Sequence, residues 1–322
     1  MLPLAAWVLL HVLMAAGLTQ LARRYALRRE LVDQPGERRS HSVATPRGGG
    51  IAVVLAVLLG VALLMLHFPG NSTLLACFAL GLLLVAGIGW LDDHRPLSAA
   101  WRLAVQAVAG LVLGWGVYAS GSGVLPAALA VLLVLVLVNV WNFMDGIDGL
   151  AASQALLAAM AFAWVLGAGP WAWIALALAA GLAGFLPFNF PRARIFLGDV
   201  GSGAIGYILA GLVLAAGLQR PGASLLLALP LTAFLADSAL TLASRIIRRE
   251  RWWTPHLQHA YQGLARQVGH VPVTLAYGLF SFGAGLSMVW AIGWRPQASI
   301  WMCLAWFGLA ACIWAIQRRT KR

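Results

Sequence analysis

The stretch NVWNFMDGIDGLA, residues 139 to 151, places two amides and two carboxylates directly behind the apolar run from Leu125 to Val138. Asn139 and Asn142 are three apart and share a helix face, whereas Asp145 falls half a turn further round and Gly146 is suited to end the helix. Burying two amides costs roughly a few kcal/mol unless they find partners, and a polar ligand is a natural one. Asp148 has a simpler use as the N-cap of the helix that begins at Leu150.

Four other stretches have chemically useful spacing. Adjacent Asp92 and Asp93 in GWLDDHRPLS repel each other unless a cation or a shared proton intervenes, and a divalent metal is the usual remedy; two solvated acids beside Arg95 would look the same. In FNFPRARIFLGDVGSGAIGY, Asp199 precedes Gly201, Ser202 and Gly203. A glycine-rich helix start there could offer backbone N–H groups to a phosphate, with Arg192 and Arg194 just upstream, although Asp before such a turn is also a common cap. His256 and His259 in RWWTPHLQHAYQGLARQ have a spacing that suits a metal or a phosphate, and equally an amphipathic helix lying on a membrane. The loop DQPGERRSHSVATPRGGG holds Asp33, Arg38, His41 and Arg47, suited to anions and to plain electrostatic anchoring.

The elements that carry these residues are apolar. The chain has 322 residues, 61% hydrophobic and 10% charged, with a mean hydropathy of +0.85, which excludes a water-soluble domain and predicts an all-α, polytopic membrane helix bundle. A spanning helix needs roughly 20 apolar residues. On that scale eleven runs are expected, centred near residues 12, 59, 82, 110, 132, 160, 180, 210, 234, 282 and 306. The first is read as a retained helix, and residues 1–322 as one domain. Cys77, Cys303 and Cys312 lie inside apolar runs without ligand spacing and are read as packing residues.

Charge orients the bundle, because short loops rich in Lys and Arg stay cytoplasmic. All but Arg220 and Arg295 of the 22 basic residues fall in alternate connections or at the C-terminus. The expected cytoplasmic loops are therefore 23–49, 92–101, 142–150, 189–200 and 245–270, with the N-terminus periplasmic and the C-terminus cytoplasmic. Every Asp and Glu except Asp237 lies on the same side. The orientation rule does not require that, so it points to a working face there. The net charge of +12 is absorbed by this arrangement, and no nucleic-acid partner is expected.

Taken together, LDD at 91–93, NVWNFMDGIDGLA at 139–151, FLGDVGS at 196–202 and the DQPGERRSH…TPRGGG loop resemble the polyprenyl-phosphate N-acetylhexosamine-1-phosphate transferases, which include the phospho-MurNAc-pentapeptide transferase. The resemblance runs from about residue 30 to 265. It implies transfer of a sugar-1-phosphate from a UDP-N-acetylhexosamine to undecaprenyl phosphate with release of UMP. It also implies Mg2+, with Mn2+ as the alternative ion, and a multi-pass protein of the bacterial inner membrane whose active site faces the cytoplasm. O-antigen or another envelope glycan is the expected pathway, and a homodimer is compatible with it.

Roles follow from matching motifs. Asp199 is expected as a metal ligand, with Asn142 or Asp92 and Asp93 completing the set. Phe196 matches the uracil-stacking position. Asp145 and Asp148 would hold nucleotide or sugar groups or order the metal, one of Asp92 and Asp93 would act as a base toward the lipid phosphate, and Asn139, Arg194, Arg38, His41 and Arg47 would contact substrate. Two departures stand out. Of a QHxHH-type cluster only His259 matches, leaving Tyr261 and Gln262 to contact the donor sugar; and Pro96 ends a DDxxD pattern. A transporter or flippase for an anionic metabolite is the rival reading, but transporters place ionisable groups near the midplane, where this chain has only Asp237.

Overall fold

A computed structural model describes residues 1–34, 44–251, 256–294 and 299–319; Arg38 and His41 lie outside them. Apolar sequence of this kind must satisfy its backbone internally once out of water, which selects helices. Twelve are described: α1 (Leu4–Arg28), α2 (Ile51–His67), α3 (Ser72–His94), α4 (Ala99–Val117), α5 (Val124–Met144), α6 (Leu150–Leu166), α7 (Pro170–Asn189), α8 (Gly198–Gln219), α9 (Thr232–Ile247), α10 (Ala260–Val268), α11 (His270–Trp294) and α12 (Ser299–Arg319).

Each of the eleven expected runs falls in one of these helices or in the 3-10 stretch Pro221–Leu231 that leads into α9. Among the described residues, nine helical segments are long and apolar enough to cross a membrane, while α2 and α6 have 17 residues each, or about 25 Å of helix. The chain is a polytopic, all-α membrane protein. The twelfth helix, α10, is short and strongly two-faced, and belongs to the connection between α9 and α11.

The core runs from Trp7 in α1 to Ala291 in α11. Its central stave is α8, buried along almost its whole length. It packs against α3 and α5, and small residues let the backbones approach. A Cβ on Gly206 would stand 2.4 Å from the Leu137 carbonyl oxygen of α5, and one on Gly89 of α3 would stand 2.4 Å from the Asp199 carbonyl oxygen. At the rim, α12 packs mainly on α9 and the 3-10 stretch before it, and touches its sequence neighbour α11 less, through pairs such as Phe280 with Trp306.

The connections predicted to share one end do meet there. Tyr25 Oη lies 3.1 Å from His94 Nε2, and Arg23 Nε donates to the Arg194 carbonyl at 3.2 Å. A two-residue antiparallel pair, Val32–Asp33 with Thr45–Pro46, delivers residues 47–50 to the start of α8. The Phe196 N–H donates to the Pro46 carbonyl at 2.8 Å, and the Gly49 and Gly50 N–H groups donate to the Phe196 and Leu197 carbonyls at 2.9 Å each.

Candidate active site

The start of α8 organises this end of the bundle. Asp93, in the last turn of α3, accepts the Asp199 N–H at 3.0 Å and the Val200 N–H at 3.1 Å, one on each carboxylate oxygen. Two of the free N–H groups expected to seat a phosphate are thus filled by an aspartate from a neighbouring helix. The glycines that follow serve packing instead: a Cβ on Gly201 would stand 2.7 Å from the Gly50 Cα. Arg47 donates to the Asp93 carbonyl, and its Nε lies 3.9 Å from Oδ1.

Asp92 turns to a different set of partners, accepting the Leu97 N–H at 2.5 Å and Arg102 Nη1 at 3.0 Å. The adjacent pair diverges in its hydrogen bonds, yet the Asp92 side chain still comes within hydrogen-bond reach of the Asp199 carboxyl and the charges of both acids bear on it, so the crowding that suggested a metal persists. Their hydrogen bonds give both carboxylates a positioning role at the ends of α3 and α8.

Asp199 is the acid left facing the interior of the site. Asn142 Nδ2 donates to its Oδ1 and, at 3.3 Å, approaches Ser202 Oγ. Asn139 does not join them: its Nδ2 donates to Gln106 Oε1 of α4 at 2.7 Å and to the Leu135 carbonyl at 2.8 Å. The two amides share a helix but serve different neighbours, because α5 is wedged between α4 and α8.

Asp145 caps α5 and retains some contact with solvent. Burial, with the charges of Asp199 and Asp93 adding to it, pushes its carboxyl up to about 8. In chelator at pH 7 this carboxyl holds its proton, whereas in the unfolded chain it would be ionised. The folded state then binds the extra proton between about pH 4 and 8, so stability falls as pH rises through that window and levels off above it. Asp145→Asn is expected to flatten this slope in thermal melts run in chelator; an unchanged slope would place its source elsewhere.

Asp148 does not cap α6. Gly149 holds that position, with φ +72°, and Asp148 instead accepts the Ala193 N–H at 3.2 Å and lies 3.3 Å from His270 Nδ1. Asp148 thus ties the α5–α6 turn to the α7–α8 loop and to α11. Asn189, which the sequence reading passed over at the end of an apolar run, does related work. It accepts the Gly149 N–H and donates to the Ile195 carbonyl, both at 3.0 Å. Phe196 is partly buried beside this loop. Arg194 is exposed, donates to the Pro187 carbonyl at 2.6 Å and lies over the Phe188 ring.

The histidine segment lies against the far side of the same turn. His259 is buried and stacks on Phe143 at 6.1 Å. Tyr261 is fully buried and donates its hydroxyl to the Phe143 carbonyl at 3.0 Å. Gly146 is needed for this contact, since a Cβ there would be 2.2 Å from that hydroxyl. Tyr261 therefore supports the turn rather than reaching a donor sugar, contrary to expectation. Gln262 is buried, with Oε1 lacking a partner. His256 is pulled down to about 4 by burial and by the charges of His259 and Arg245, so it is neutral at pH 7 and ill suited to phosphate.

Asp92, Asp93, Asp145 and Asp199 are thus gathered from three helix ends. Among the described residues no group of three or more His, Cys, Asp or Glu stands ready to hold a metal. Even so, mutual charge acts on Asp145 from both Asp199 and Asp93, and oxygen-rich, electrostatically frustrated clusters suit a hard divalent cation. Asn142 presents its N–H to Asp199, so ligation through its oxygen requires the amide to turn over.

Residues 74–217 match the model of glycosyl transferase family 4, a segment that contains all four acids but neither Asp237 nor His259. The chain is 34% identical over 317 residues to decaprenyl-phosphate N-acetylglucosaminephosphotransferase of Mycobacterium leprae (strain TN), covering 83% of this chain and 79% of that one. It is 27% identical over 310 residues to probable undecaprenyl-phosphate N-acetylglucosaminyl 1-phosphate transferase of Bacillus subtilis (strain 168), covering 89% and 83%. Phospho-N-acetylmuramoyl-pentapeptide-transferase of Heliobacterium modesticaldum (strain ATCC 51547 / Ice1) is 34% identical over 230 residues, covering 63% and 70%.

Proposed function

Because this chain belongs to glycosyl transferase family 4, with the polyprenyl-phosphate N-acetylhexosamine-1-phosphate transferases, we propose that it transfers an N-acetylhexosamine-1-phosphate from a UDP-sugar to undecaprenyl phosphate, releasing UMP. N-acetylglucosamine is the sugar to test first, as it appears in the names of two of the three relatives. An O-antigen or other envelope glycan would be started by the product. The observation that carries this reading is the convergence of Asp199, Asn142, Asp145 and Asp93 where apolar helices end. A membrane-dissolved phosphate and a water-soluble diphosphate can meet at such a boundary.

An oxygen of the lipid phosphate attacks the sugar-linked phosphorus, a new P–O bond forms, and the P–O bond to UMP breaks. One diphosphate linkage replaces another, so no further energy source is needed. A phosphate monoester is largely ionised at pH 7, and no side chain has to remove a proton. Mg2+, held by Asp199 with Asn142 and Asp145 around it, would supply charge neutralisation at the phosphates. Arg47 adds a fixed positive charge beside Asp93. Asp93 itself sets the position of Asp199 by holding its N–H, and Asp148 fixes the turn that carries Asp145.

Purified protein given UDP-N-acetylglucosamine, undecaprenyl phosphate and Mg2+ is expected to release UMP in step with lipid-linked sugar. Chelator should stop it and Mn2+ partly restore it. Absence of UMP across a panel of UDP-sugars would overturn the transferase reading, and uptake of an anionic solute into vesicles without UMP would favour a transporter. We place the site on the cytoplasmic face of the inner membrane from the charge partition. A reporter after Arg322 is then expected to be cytoplasmic and one near Gly121 periplasmic; both on one side would refute this topology.

A further inference from the structure

Asp237 is a buried acid that the site leaves unused, and it lies outside the segment matched by the family model. It sits in α9, 3% exposed, where an unpaired carboxylate would be costly. Its oxygens are met by four donors. Oδ1 accepts the Ala260 N–H at 2.9 Å and Thr241 Oγ1 at 3.1 Å; Oδ2 accepts the Tyr261 N–H at 3.1 Å and Tyr277 Oη at 2.9 Å. Four bonds fill the acceptor capacity of a carboxylate, so Asp237 has little left for a substrate or a metal. The two N–H groups are the first of α10, which makes Asp237 the cap of that helix from outside it, with the helix dipole in its favour.

The elements bound to Asp237 form a chain that ends at the acidic site. From one side, Trp314 Nε1 of α12 donates to Thr241 Oγ1 at 3.1 Å, and Tyr277 arrives from α11. On the other, Tyr261 follows directly from the capped N-terminus and donates to the Phe143 carbonyl, two residues before Asp145. His259, whose Nδ1 is 3.5 Å from Asp237 Oδ1, immediately precedes the helix. We infer that Asp237 is a positioning residue for the transfer reaction: it fixes the start of α10, and thereby His259 and Tyr261, against the turn that carries Asp145. A single carboxylate thus links α11 and α12, which supply no acid of their own, to the geometry of the site.

The inference rests on the transferase reading for its activity readout, so the test pairs activity with a measurement that does not need it. Full-length Asp237→Asn, His259→Ala and the double variant are compared for UMP release at saturating undecaprenyl phosphate. Asp237→Asn is expected to lose about tenfold or more, because an amide turns a donor toward groups that are themselves donors. The double variant should fall no more than about threefold below the weaker single, since both changes act through one segment. A merely structural role in the bundle predicts instead that the two losses multiply, and that result, or Asp237→Asn keeping more than about half the activity, overturns the inference. Tyr277→Phe removes one of the four donors without a change of charge; it replaces Asp237→Asn in the same cycle, with the same criteria, if that variant does not insert. Deuterium exchange across residues 260–268 is the independent arm: faster exchange confined to that segment supports the anchoring, and unchanged exchange refutes it. If the wild type releases no UMP, the transferase reading fails while this arm still decides whether Asp237 holds α10.

Discussion

Asp199→Asn is expected to lower Mg2+-dependent UMP release by about a hundredfold or more, while leaving a folded, membrane-inserted protein. The side chain keeps its shape, and its position is set by its own N–H on Asp93 rather than by its charge. What is lost is negative charge at the acid whose carboxylate accepts from Asn142 and lies against the Asp92 side chain. An amide oxygen is a weaker ligand for a hard cation, and charge neutralisation at the transferring phosphate is worth several kcal/mol. A second readout comes free of catalysis: Asp199 helps to push the Asp145 carboxyl up, so in chelator the variant's Asp145 should titrate below about 8. Retention of more than roughly a tenth of the activity would remove Asp199 from the metal role.

Gly198→Ala should be nearly as damaging without touching a charged group. Gly198 has φ +73°, and a Cβ would lie 2.5 Å from Asp93 Oδ2 and 2.7 Å from the Gly48 backbone nitrogen. Left-handed backbone costs an L-residue about 1–2 kcal/mol, and forced overpacking adds about 1–3 kcal/mol. Neither neighbour can give way easily, because the carboxylate is held by two N–H groups and the other atom is backbone. The Asp93 cap should therefore shift and carry Asp199 with it, with activity falling about thirtyfold or more and inactivation on heating coming earlier. Gly48→Ala is the control: Gly48 has φ +93° but nothing within 4 Å of its Cβ position, so only the backbone strain applies. Equal losses in the two variants would show that packing around Asp93 is not what matters.

The helices were legible because lipid removes alternatives: an apolar run of sufficient length has helix as its one economical structure, and basic loops mark its ends. The gathering of Asp92, Asp93, Asn142, Asp145 and Asp199 was legible for the same reason, since alternation alone brings their helix ends to one side. The partners of each residue were not. Asp93 and Asn139 carry the same kind of polar group as Asp199 and Asn142, and nothing in residue type says that one faces a helix start and another faces Gln106. That depends on the rotation of each helix about its axis, which is set by contacts such as Gly89 and Gly206 against backbone carbonyls. Tyr261 was misread for a related reason. A phenol in a polar loop looks available to a sugar until the loop is seen to be folded under α5. Asp237 gave only the signal of an acid inside an apolar run, and its donors are scattered over residues 241 to 277.

The bond between Asp93 and the Asp199 N–H spans 106 positions of the chain, which has a consequence for how the protein is made. At about 5–20 residues per second of synthesis, the carboxylate waits roughly 5–20 s for its partners to emerge. During that interval water is the available solvent for it, so the end of α3 has to stay at the membrane surface and cannot sink. Assembly of the acidic end is thereby deferred until α8 enters, and α8 is the stave against which α3 and α5 pack. A ribosome stalled before α8 would leave α1–α7 with an open, hydrated end, a form that membrane quality control could distinguish from the finished bundle by its unsatisfied acids.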